Sequence, residues 1–175
     1  NVQINPYKGV AHRTSPTNIG FGMLSIMCAH DLDFISREEM VCRITKMIKS
    51  IEVLEKWRGH LYNWYDTVTL KPLNPKYVST VDSGNFICYI LTVAAGLYEC
   101  GEKALAQKLE KMAEDTSFAP LYSEKKELFS IGYNVTENRL SNSYYDLLAS
   151  EARTASFIAI AKGDIKQKHW FTLGR

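Results

Sequence analysis

A chain of 175 residues, 46% hydrophobic and 23% charged, has the length for one hydrophobic core and too little for a second complete domain. Its formal net charge is +2, from 21 Lys and Arg against 19 Asp and Glu, and the basic residues are scattered, which argues against nucleic acid as a partner. The four cysteines, Cys28, Cys42, Cys88 and Cys100, have no CxxC spacing and fall in apolar, helix-like runs; they read as buried thiols in a reducing compartment, not as a zinc site or a disulfide framework.

The first predicted helix lies in SPTNIGFGMLSIMCAHDL. Ser15 can cap it, Pro16 suits its first turn, and Ile19, Met23, Leu24, Ile26 and Met27 leave almost no polar face, so it should be buried on most sides. Gly20-Phe21-Gly22 has neither the preceding strand nor the following lysine of a phosphate loop and reads as close helix packing. Its partner, SREEMVCRITKMIKSIEVLEKW, opens with a capping box, Ser36 to Glu39, and carries Met40, Ile44, Met47, Ile48, Ile51 and Leu54 at helical spacing. That helix is amphipathic and belongs outside.

The next stretch, HLYNWYDTVTLKPLNPKYVS, is too polar and proline-rich for a helix; residues 67–70 have strand propensity, which predicts a small hairpin or extended excursion. A second inner helix follows in TVDSGNFICYILTVAAGLYECG, with an amphipathic outer helix in EKALAQKLEKMAEDTSF. ELFSIGYNVTENRLSN reads as a strand, a turn near Thr136-Glu137-Asn138 and a return, and SNSYYDLLASEARTASFIAIAKG as a third inner helix. No run reaches the roughly 18 to 20 apolar residues of a membrane span, and no signal peptide opens the chain. Starting at Asn1 and ending abruptly at Gly174-Arg175, residues 1–175 read as a single fragment of a longer protein.

Asn18, Asn85 and Leu148 occupy matching places in three such units of inner helix, outer helix and decorated loop. The expected fold is therefore mainly α: a partial (α/α)6 toroid of about three helical hairpins with short β excursions. Both excursions feed the starts of inner helices, so they should gather at one mouth of the ring.

The side chains expected at that mouth are Arg13, Thr17 and Asn18, then Tyr62, Trp64, Tyr65 and Asp66, then Asp82, Ser83 and Asn85, and finally Tyr144, Tyr145, Asp146 and Glu151. Aromatic faces ringed by carboxylates, amides and a guanidinium suit a carbohydrate, whose C–H faces stack while its hydroxyls take directed hydrogen bonds. Each has a blander reading. Asp82 and Ser15 sit where helix caps belong, Asp146 and Glu151 fit the first turns of a helix, Glu151 could pair with Arg153, and Trp64 could roof the core. His12, His30, His60 and His169 show no ligand spacing, so neither a metal nor another cofactor is expected.

The series RTSPTNIG (13–20), LYNWYDTVTLKPLNPKYVSTVDSGN (61–85), LFSIGYNV (128–135) and SYYDLLASEARTASFIAIAKGDIKQKHWFTLGR (143–175) resembles the central region of cyclic β-1,2-glucan synthases and, more distantly, glycoamylase-like toroid glycosidases. The resemblance implies a bacterial, membrane-anchored parent enzyme, with this segment on the cytoplasmic side and not itself touching the membrane. The matching region in that family closes linear β-1,2-glucan into a ring by retaining transglycosylation. It implies Arg13, Asn18, Tyr62, Trp64, Tyr65, Asp66, Asp82, Asn85, Tyr145, Asp146 and Glu151 as glucan-binding positions and Asp82 as a helper, with the main catalytic Glu pair outside the chain. The fragment should then be inactive alone and prone to oligomerise through exposed flanks. The competing reading is a non-catalytic glucan-binding or scaffolding helical repeat.

Overall fold

The computed structural model describes residues 2–3, 5–6 and 9–174. Among the described residues six α-helices organise the fold: α1 (Pro16–Asp31), α2 (Arg37–Val53), α3 (Thr80–Glu99), α4 (Lys103–Glu114), α5 (Arg153–Ala161) and α6 (Lys168–Thr172). Helix α3 lies between α1 and α5, while α2, α4 and α6 pack on α1, α3 and α5 respectively. The result is a row of three inner helices, each followed by an outer one.

Local chemistry sets the starts. Ser15 and Ser36 cap α1 and α2 by accepting the N–H groups of Asn18 and Glu39, and Ser79 caps α3 by accepting that of Asp82. Ile87, Ile90, Val93, Ala94 and Leu97 of α3 are fully buried, against Met40, Ile44 and Ile48 of α2 and Ala106 and Leu109 of α4. Two glycines let the inner helices touch. A Cβ on Gly20 would come within 2.9 Å of the Tyr89 ring, and one on Gly84 would sit 2.5 Å from the Ala155 Cβ.

Short antiparallel strands fill the connections. β1 (Val2–Gln3) pairs with β2 (Gly9–Val10), β3 (Arg13–Thr14) with β6 (Tyr65–Asp66), and β4 (Lys56–Trp57) with β5 (His60–Leu61). Two three-stranded sheets join distant segments: β7 (Tyr77–Ser79) with β10 (Gly132–Asn134) and β11 (Arg139–Leu140), and β8 (Tyr122–Ser123) with β9 (Leu128–Ser130) and β12 (Tyr144–Tyr145). β7 runs straight into α3. The expected turn between β10 and β11 is present: the Asn134 side chain accepts the Glu137 N–H, and Asn138 takes a positive φ of 52°.

Several expectations are corrected. Helix α1 buries only the stripe Pro16, Gly20, Met23 and Met27, leaving Phe21 60% exposed, with Leu32 and Phe34 exposed just beyond its end. Cys28 and Cys42 are exposed, off the packed stripes of α1 and α2, and Cys88 and Cys100 are half-buried against the edge of the core; all four are free thiols. Residues 67–70 form a turn, not a strand, for a reason given below. The third inner helix begins only at Arg153; Tyr144 and Tyr145 are strand, and Asp146 and Glu151 precede the helix. Finally, Thr80–Glu99 is long and apolar enough to cross a membrane by length and composition, although in this fold it is the helix packed between α1 and α5.

Candidate functional site

Asp82 stands in the first turn of α3, and because Ser79 already caps that helix its carboxylate is free to face α1. Oδ1 accepts the Thr17 hydroxyl at 2.6 Å and lies 3.4 Å from the Thr17 N. With the Asn63 amide oriented to satisfy both neighbours, its Nδ2 donates to Asp82 Oδ2 at 2.8 Å and its Oδ1 accepts the Trp64 indole N–H at 3.3 Å. Asn85 Nδ2 donates to Thr17 Oγ1 at 3.3 Å, so α1, α3 and the segment after β5 meet in one polar network. Arg13, carried by β3, lies over the Trp64 ring at 4.7 Å from its centroid.

A second group forms where β12 meets the turn before α5. The Tyr145 hydroxyl donates to Glu151 Oε1 at 3.4 Å. Burial, then the negative charge of Glu151 and more weakly that of Asp82, push its phenol up to about 12, so Tyr145 stays a neutral donor at ordinary pH. The same influences place Tyr145 within electrostatic reach of both carboxylates. Glu151 itself is exposed.

The YNWYD segment divides. Tyr65 is 1% exposed; its hydroxyl donates to the Glu55 carbonyl at 2.6 Å and accepts the Tyr62 N–H at 2.9 Å. Burial pushes that phenol far up. Tyr62 is also buried, its hydroxyl on Glu55 Oε1 at 3.3 Å. These two rings are a structural corner, a correction to their expected place on the cleft wall. Asp66 Oδ1 accepts the Val68 and Thr69 N–H groups at 2.9 and 2.7 Å and the Thr69 hydroxyl at 3.0 Å, which holds its carboxyl below the ordinary range and winds residues 67–70 into a turn.

Of the remaining expected positions, Asn18 is exposed on α1 and contributes its N–H to the Ser15 cap. Asp146 is exposed, its carbonyl accepting the Gly174 N–H at 2.8 Å. The network therefore brings together Arg13, Trp64, Asp82 and Asn85, with Tyr145 and Glu151 beside them, and leaves Asn18 and Asp146 at the surface. Asn63 and Thr17 are its connecting members. Sequence reasoning passed over Asn63 because no pattern in five consecutive polar and aromatic residues tells which turn inward. A 530 Å³ cavity between α2 and α4, lined by Ile51, Phe86 and Met112 among others, contains none of these residues.

No protein-family model matches the chain. Over its whole length it is similar to the cyclic β-(1,2)-glucan synthase NdvB of Rhizobium meliloti (strain 1021), 27% identical over 302 aligned residues, and it spans 11% of that protein. In fold it is similar to an endo-β-1,2-glucanase from Chitinophaga pinensis solved with sophorotriose and glucose: TM-score 0.76, 20% identity, 86% of this chain and 37% of that one. It is likewise similar to a β-1,2-glucanase from Parabacteroides distasonis, with a TM-score of 0.82, 16% identity, 92% of this chain and 24% of that one. An endo-β-1,2-glucanase from Talaromyces funiculosus, solved with sophorose, gives 0.74 at 11% identity, over 94% of this chain and 41% of that one. The chain thus resembles one stretch of a cyclic β-1,2-glucan synthase in sequence and is built as part of the (α/α)6 toroid of the glucoamylase-like enzymes.

Proposed function

We propose that this chain supplies one wall of a β-1,2-glucan cleft in a larger glucan-processing enzyme, in the part that closes the linear polymer into a ring. The observation that carries this is the Asp82–Asn63–Trp64 bridge, which locks a carboxylate to the edge of an indole at the starts of two inner helices. A glucose unit offers an apolar C–H face and a rim of hydroxyls. Trp64 matches the face, while Arg13, Asn85, Tyr145 and Glu151 match the rim.

Ring closure by retaining transglycosylation needs two carboxyl groups about 5–5.5 Å apart across the scissile bond. One attacks the anomeric carbon as the other protonates the departing oxygen. A hydroxyl of the glucan's own non-reducing end then takes the glycosyl group, giving its proton to the second carboxylate. Every side-chain hydrogen bond of Asp82 is one its carboxylate accepts, which suits an orienting role. The nucleophile and acid/base are assigned to the share of the toroid that this chain does not span, and the isolated chain is expected to bind without turning over. The parent is taken to be membrane-anchored, with this segment on its cytoplasmic side.

Calorimetric titration with linear β-1,2-gluco-oligosaccharides tests the proposal. Saturable heat is expected in the parent chain and none in a Trp64→Ala, Asp82→Asn double variant. Equal heat in both would remove the cleft from this place. Formation of cyclic glucan by the isolated chain would overturn the assignment of catalysis elsewhere.

A further inference from the structure

His60 is 1% exposed in β5, three residues ahead of Asn63 and four ahead of Trp64. Its Nε2 lies 2.7 Å from the Ser117 carbonyl oxygen, which can only accept. That nitrogen therefore carries the proton, and Nδ1, 2.9 Å from Ser83 Oγ, accepts the serine hydroxyl. Ser83 is buried and directly follows Asp82. The segment bearing Asn63 and Trp64 is thereby tied, through β5, to the helix turn bearing Asp82 from behind the network, in addition to the Asn63 contact within it.

We infer that His60 is a positioning residue, whose bond to Ser83 sets the register between the Asn63–Trp64 segment and Asp82 and so shapes the surface offered to a β-1,2-glucan unit. The inference rests on the glucan reading for its ligand but not for its geometry.

The fold contains its own control. His169 is equally buried, with Nε2 2.8 Å from Ser156 Oγ and Nδ1 2.9 Å from the Glu127 carbonyl oxygen. That clamp joins α6 to α5 and does not hold the Trp64 segment. Removing either serine hydroxyl deletes one buried Ser–His hydrogen bond, so a purely structural role predicts equal consequences for Ser83→Ala and Ser156→Ala.

The test compares these two variants and His60→Asn, whose side-chain oxygen can accept near the Nδ1 position, in chains labelled with 5-fluorotryptophan. The ¹⁹F resonance of Trp64 is assigned by its loss in Trp64→Phe. Melting temperatures should fall comparably in Ser83→Ala and Ser156→Ala. Only Ser83→Ala should shift or split the Trp64 resonance and weaken sophorotriose binding, by about tenfold, while His60→Asn should stay nearer the parent in both readouts. A Trp64 resonance and sophorotriose affinity untouched by Ser83→Ala, or disturbed equally by Ser156→Ala, would overturn the inference. If the parent binds no sophorotriose, the glucan reading falls and the ¹⁹F comparison alone decides whether His60 positions Trp64.

Discussion

Trp64 and Tyr65 are chain neighbours with opposite fates. Tyr65 is sealed, its hydroxyl held by backbone groups at both ends of the β4–β5 excursion, while Trp64 is only half-buried, its edge and face engaging Asn63 and Arg13. Aromatic density by itself therefore does not separate a corner from a recognition surface. What separates them is the partner of the polar atom: a backbone carbonyl pins a ring permanently, whereas a side-chain amide shared with a carboxylate leaves one face for other use.

The largest effect should come from breaking the sealed side. Tyr65→Ala is expected to cost about 3–5 kcal/mol in urea denaturation, as for other buried aromatic truncations, and Trp64→Ala clearly less. If the two cost the same, the contrast between corner and surface fails.

Acid should act next, through the His60 clamp. Burial holds this imidazole at about 4 against an ordinary 6.5, with Lys162 pushing the same way and the Ser117 carbonyl and Asp164 opposing. Between those values the unfolded chain binds a proton that the folded chain refuses. Stability is therefore full above pH 6.5, declines as pH falls from there, and stops declining from this source below about 4. The drop attributable to His60 should be at most about 3 kcal/mol. His169 is lowered in the same direction, again chiefly by burial. Denaturation curves across this range should flatten in His60→Gln; an unchanged slope would remove His60 as the source.

The smallest effect belongs to the exposed end of the segment. Asp66→Ala leaves its turn amides to water and should cost about 1 kcal/mol with no change in sophorotriose affinity. A loss of affinity would return Asp66 to the cleft.

Much of this fold is legible in the sequence because its signals are local. Ser15 and Ser36 cap as expected, the periodicity of α2 and α4 places them outside, and the turn between β10 and β11 falls near Thr136-Glu137-Asn138 as expected. What was misread depends on distant partners. Asp82 looked like a cap until Ser79, nearer the true helix start, proved to fill that role. Val68 and Thr69 carry strand propensity, but the carboxylate of Asp66 captures their amides first. The exposure of Phe21 and Cys28 follows from which neighbours α1 has, and nothing in the composition of a helix records that. Of the polar network, Asp82 and Asn85 stood out as polar residues at a helix start, Arg13 as a cation just ahead of one and Trp64 as an aromatic in a polar excursion; Asn63 did not, since its role exists only through the two groups it joins.

Gly84 sets how closely α3 and α5 approach. With no side chain there, the start of α3 lies directly against Ala155 of α5, at one of the places where these two helices pack. A methyl group at that point has no room, and α5 must retreat to admit it. The smallest possible enlargement of one residue, two positions from Asp82, would therefore move α5 away from the start of α3.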